Sequence, residues 1–229
     1  MSSIDDYLKD RVSTGKVELE IYDAKNNLLQ TIPGSKRKGI NKVYWNLRGT
    51  PPKVASGSTK MDGAGFTAPM VLPGTYTLKL KVKDKEYISK INCIHDAENK
   101  DLSLADRNLV FERAMALQTL YTNVNTDVDS IQNILTKLKA DSNNKTHKLL
   151  KAELEKIRSE YMATKQTSMF ADEEELREKI SELYGTFCGM EAKPNKTQLQ
   201  AIDALDKKYI EVHEKLHKTL DKFLPKLNL

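Results

Sequence analysis

Glycine and proline are distributed so unevenly along the chain that they divide it in two. Eight of the ten glycines and five of the seven prolines lie at or before Gly74, and from Thr75 to Tyr184 there is neither. Turn-rich sequence with β-branched and aromatic runs predicts strands, whereas a long stretch free of helix breakers predicts helices. With 229 residues there is room for two modest domains, and the boundary is expected near residue 100. Charge follows the same division: residues 1–100 hold 17 basic and 11 acidic side chains, and residues 101–229 hold 20 and 21.

In the first half Val17, Leu19 and Ile21 alternate with Glu18, Glu20 and Tyr22, the period of a strand with one buried face. Ala24 to Asn27 reads as a turn and Leu28 to Ile32 as the returning strand. Val43, Trp45 and Leu47 share one face of a third run, Ile40 to Leu47. Tyr76, Leu78, Leu80 and Val82 lead to a tight turn at Lys83-Asp84, from which Tyr87 to Ile94 returns antiparallel. Leu8 and its neighbours are a further edge-strand candidate. Short strands separated by turns over about a hundred residues predict a small β-sandwich.

The segment Gly49 to Met70 interrupts this rhythm, with three prolines, four glycines and no hydrophobic period. A loop of this length in a compact domain is usually functional or disordered. Its apolar residues Met61, Phe66 and Met70 have no obvious core to enter. The expectation is an arm that packs them on a neighbouring domain or partner, with Phe66 as anchor.

The second half carries stripes of a different period. Val110, Ala114, Leu117, Tyr121, Val124, Val128, Ile131, Leu135 and Leu138 follow at alternating steps of 4 and 3, a sustained heptad seam on a helix of about 38 residues, roughly 55–60 Å long. Asp141 to Asn144 should end it. Leu150, Leu154, Ile157 and Tyr161 begin a second stripe, and Leu176, Ile180, Leu183 and Phe187 a third, with Asp172 and Glu175 as its expected capping box. Asn195 and Gln198 can cap a last helix whose inner stripe runs Ile202, Leu205, Tyr209, Val212, Leu216 and Phe223, before Pro225. Stripes of this kind are buried against one another, which predicts an antiparallel bundle of three or four helices. The expected fold class is therefore multidomain β + α: a sandwich in 1–100 with the long loop 49–70, then a bundle in 101–229.

Three strings in the β half carry a family resemblance: Leu19-Glu20-Ile21-Tyr22-Asp23-Ala24, Gly39-Ile40-Asn41-Lys42-Val43-Tyr44-Trp45-Asn46-Leu47-Arg48 and Leu72-Pro73-Gly74-Thr75-Tyr76-Thr77-Leu78. Together they resemble the FlgD-like immunoglobulin domain, with Asn46 where that pattern usually has Asp. The helical half is similar to the segment that follows this domain in large secreted bacterial proteins with an N-terminal Asp-box or sortilin-like β-propeller, described as glycosyl hydrolase- or sialidase-like. Leu183-Tyr184-Gly185, Pro194 with Gln198-Leu199, and Phe223-Leu224-Pro225-Lys226-Leu227-Asn228 carry that likeness. The resemblance implies an immunoglobulin-like sandwich and a non-catalytic C-terminal accessory region, any glycosidase chemistry belonging to the propeller. It also implies a secreted or cell-envelope parent protein. The residues after Met1 contain no basic or apolar signal region, which the resemblance would explain if a propeller precedes this segment, and whether Met1 is the native start is left open.

The residues able to carry chemistry are few. His213-Glu214-Lys215-Leu216-His217 satisfies H-E-x-x-H on a predicted helix, with both imidazoles one turn apart and Glu214 as a formal general base. The helix is amphipathic, with Val212 and Leu216 inward and both histidines on its flank. A third ligand is not evident, so solvated flank histidines are the favoured reading and a zinc protease the alternative. Cys93 and His95 share a strand face, yet Ile91 and Cys93 continue an alternating apolar face and the pair lacks an orienting group. Spacing neither supports nor excludes a disulfide between Cys93 and Cys188.

Lys36, Arg37 and Lys38, with the lysines from Lys81 to Lys90, are a candidate basic patch for an anionic partner, weighed against a solvated edge that discourages aggregation. Trp45 is a candidate sugar platform, weighed against a core position. The net charge of +5 is mild, aromatic interleaving is missing, and nucleic acid is not an expected partner. No apolar run reaches the roughly 18–20 residues of a bilayer span. Sequons at Asn144 and Asn195 are formal, and Asn195 is better explained as a cap. The expected role is thus an accessory region without cofactor or metal, contacting a propeller or another protein through Met61, Phe66, Met70 and the basic loop. A glycosidase fragment and a carbohydrate-binding module are the alternatives.

Overall fold

The computed structural model describes residues 2–56, 63–96, 102–138, 144–165, 174–223 and 225. An antiparallel β region is followed by four helices. The strands are β1 (Ser2–Leu8), β2 (Val17–Tyr22), β3 (Leu28–Pro33), β4 (Gly39–Trp45), β5 (Gly74–Val82) and β6 (Lys85–Cys93). The helices are α1 (Leu104–Leu138), α2 (Lys145–Tyr161), α3 (Leu176–Cys188) and α4 (Lys196–Phe223). Two compact units result: Met1–Thr50 with Ala68–Phe111, and Pro51–Thr67 with Glu112–Leu229. Most of the long loop therefore belongs with the helices.

In the first unit β1 pairs with β4, and the second sheet has the order β3-β2-β5-β6. The alternation in β2, β4 and β5 sends Leu19, Ile21, Val43, Trp45, Tyr76 and Leu78 into one shared core. Trp45 is fully buried, its indole N–H donates to the Arg48 carbonyl at 3.0 Å, and its ring meets Tyr76 edge-on at 5.4 Å. The β5–β6 hairpin turns through Lys83, whose φ of 55° supplies the positive angle that a two-residue turn needs.

In the second unit the seam positions from Ala114 to Leu138 are all buried, and the seam's first residue, Val110, is buried in the first unit. The stripe of α2 is fully buried, and α4 packs against both α2 and α3. On α3 Leu176, Ile180 and Phe187 are buried, as is Tyr184, stacked on Tyr121 of α1 with centroids 6.4 Å apart, while Leu183 is only half-buried. Ser103 and Asp106 close the start of α1. The side chain of Asn144 accepts from Thr146 and His147 at the start of α2. Asn195 and Gln198 exchange reciprocal bonds of 2.9 Å before α4. The capping box of α3 is formed by Glu175 and Glu178, and the expected Asp172 lies outside the described residues, as do Asp141 to Asn143. Among the described residues no helix is long and apolar enough to cross a membrane.

Candidate functional site

Three features gather the groups that could bind or react, each within one unit. The first is a polar cluster among the helices. Asp127 of α1 is buried on the flank of an apolar seam, and a buried carboxylate must be hydrogen-bonded. The phenol of Tyr161 on α2 donates to its Oδ2 at 2.8 Å, and His213 Nδ1 on α4 lies 2.7 Å from the same oxygen. Because the carboxylate only accepts, the imidazole supplies that hydrogen through Nδ1. The Tyr209 oxygen sits 3.2 Å from His213 Nδ1. Burial, reinforced by the Asp127 carboxylate, pushes the Tyr209 phenol up to about 12 and the Tyr161 phenol further still.

The H-E-x-x-H string falls at the edge of this cluster. His217 meets the His213 ring edge-on at 4.4 Å, and Glu214 turns outward to Lys218 at 3.1 Å. Lys215 pairs with Glu160 of α2. Among the described residues no group of three or more His, Cys, Asp or Glu is placed to hold a metal ion.

The second feature is the docked loop. The Ala55 N–H donates to the buried Asn125 carboxamide at 2.8 Å, Lys53 pairs with Asp129 at 2.8 Å, and the Tyr184 hydroxyl donates to the Thr67 carbonyl at 3.0 Å. Among the described loop residues of the second unit Pro52, Ala55 and Ala64 are buried, whereas Phe66 is 76% exposed. The loop thus packs through backbone groups and small side chains, and Phe66 is exposed. Met70 is half-exposed in the first unit, where an isolated bridge ties it to Arg48. Met61 lies outside the described residues.

The third is a cleft of about 690 Å³ in the first unit. Leu8, Leu19, Leu78, Leu80 and Val82 line it with apolar side chains, together with Tyr87. Asp6 of β1 also lines it. Its Oδ1 accepts a 3.4 Å bond from Asn41, while Oδ2 is buried and has no hydrogen-bond partner. Burial raises the Asp6 pKa from its ordinary value, partly offset by the Asn41 hydrogen bond.

The remaining sequence candidates are dispersed. Lys36, Arg37 and Lys38 are exposed, with Lys38 3.9 Å from Asp10. Lys81 is tied to Glu20 at 2.7 Å, which holds Glu20 below its ordinary value, so this lysine is neutralised on the sheet. Trp45 is buried and presents no face to a sugar. Cys93 is a free thiol, and burial pushes it up, away from the reactive thiolate, while Cys188 is buried at the end of α3. The His95 Nδ1 lies against the Asp96 carbonyl.

Asn125, Asp127 and Asp6 were not among the sequence candidates. Asp6 left a trace, standing between Ile4 and Leu8 on an alternating face. No protein-family model, curated protein or solved structure matches this chain.

Proposed function

We propose that the chain is a non-catalytic accessory region of a larger secreted propeller-bearing protein, an immunoglobulin-like sandwich joined to an antiparallel helical bundle, working through protein contacts. One observation carries this reading: the outer face of the β1–β4 sheet is rich in exposed apolar side chains. Tyr7 and Ile40 are register partners, Tyr44 lies on the same face, and their exposures are 67%, 77% and 58%. The Asp5–Lys42 pair at 3.7 Å sits between them. Exposed apolar side chains flanking a charged pair are the composition of a contact surface. The reactive groups support the same reading, because Asp127, Tyr161 and His213 are committed to one another across three helices.

The coding sequence upstream of Met1 tests the reading directly. An Asp-box propeller is expected there, and with it Ile40→Glu in the full-length protein should weaken the association of propeller and tail. The isolated chain should turn over no member of a glycan panel. Hydrolysis above a heat-denatured blank, or stoichiometric zinc lost in His213→Ala, would establish the hydrolase reading instead.

A further inference from the structure

The first unit is built from sheets of unequal width, two strands over four. Its core couples Val43 and Trp45 of β4 to Leu19 and Ile21 of β2 and to Tyr76 and Leu78 of β5, so the narrow sheet covers the inner strands of the wide one. Cover runs out toward β6. On the shared inward face, Leu78 is buried, Leu80 is half-buried and Tyr87, the register partner of Leu80 on β6, is 54% exposed. An inward-facing aromatic that remains exposed marks a position where a layer is missing.

The edge beside that position is open. Among the described residues β1 pairs with β4 alone, leaving the outward N–H and C=O groups of β1 available as a pairing template. A strand added there would lie about 4.8 Å from β1. Its inward side chains would fall on the cleft surface made by Leu80, Val82 and Tyr87. Asp6 adds a charge requirement, since its buried Oδ2 lacks a partner beside this apolar surface. The other cleft charges, including Lys9, Asp10, Arg11, Lys83 and Asp84, mix both signs and select neither.

We infer that the cleft captures an extended peptide segment of another protein by strand addition to β1, with apolar side chains at alternate positions and one Lys or Arg directed at Asp6. Main-chain bonds to the β1 edge supply affinity, and the alternate side chains and the Asp6 pair supply selectivity. The site stands on the cleft and the β1 edge and does not depend on the propeller assignment.

Selection from a phage-displayed random dodecapeptide library on the full chain tests it. Enriched peptides should show apolar residues at every second position with a Lys or Arg in the same register. On binding, the amides of Ile4 to Leu8 should gain protection from hydrogen exchange. Asp6→Asn, isosteric and free of the buried charge, should weaken the best synthetic peptide by about tenfold and erase the basic preference. No enrichment over a blank surface, protection elsewhere on the chain, or unchanged affinity with Asp6→Asn would each overturn the inference. So would self-association of the chain through β1, which would assign the edge to a second copy. None of these outcomes bears on whether a propeller lies upstream.

Discussion

The carboxamide of Asn125 joins the loop to α1: its Oδ1 accepts from the Ala55 N–H at 2.8 Å while its Nδ2 donates to the Tyr121 carbonyl at 2.7 Å. Asn125 and Ala55 are both buried, so neither group has water as a substitute. Asn125→Ala leaves the Ala55 donor unsatisfied and should destabilise the second unit by about 1–3 kcal/mol. Urea denaturation monitored by helical circular dichroism measures it. A loss below about 0.5 kcal/mol would mean the loop is not anchored through this side chain.

Gly65 is required by the loop's own packing. A Cβ at this position would collide with Val54 Cγ2, and valine has little rotamer freedom to retreat. Gly65→Ala should destabilise by about 1–3 kcal/mol as an overpacking change. Val54→Ala, at a half-exposed site, should recover most of that loss in the double variant. Additive effects in the double-mutant cycle would rule out the collision as the cause.

Much of this architecture was legible in the sequence, and the failures have a physical pattern. The nine-residue seam could be read because 4-3 spacing keeps every member on one side of a helix, and all nine are buried. Trp45 could be read as core because its alternation with Val43 held. The loop was harder. Its apolar Phe66 drew attention, whereas the residues buried there are Pro52, Ala55 and Ala64, beside backbone groups, and these carry almost no hydrophobic signal. Asp127 was invisible because its partners lie 34 and 86 positions away, beyond any local period. The second box residue of α3 could not be anticipated either, since Glu178 works in a pair of glutamates rather than with the usual Ser, Thr, Asp or Asn cap.

Tyr161 and Asp127 test whether the helical polar cluster is structural. Tyr161→Phe keeps the ring and deletes one of the two hydrogen-bond donors seen at a buried carboxylate oxygen. It should lower stability by about 1–2 kcal/mol. His213→Ala removes the other donor, and because both act on one oxygen their effects should be non-additive. Strict additivity in a double-mutant cycle would show that Asp127 does not couple them.

The same phenols set the response to alkali. Tyr209 in the second unit and Tyr76 in the first are each raised to about 12, chiefly by burial, and Tyr161 is raised further. An unfolded chain releases these protons near the ordinary tyrosine value of about 10. Between about 10 and 12 the native state therefore binds more protons than the unfolded state, and stability must fall as pH rises. Below that window the contribution is complete, and it is lost as pH passes through the folded values. Tyr76→Phe removes one such group, so the decline in stability of the β unit over this window should become shallower. Near-ultraviolet absorbance should show the Tyr161 phenolate appearing only together with the loss of helical circular dichroism. Phenolate formation by Tyr161 in a still-folded protein would contradict its burial against Asp127.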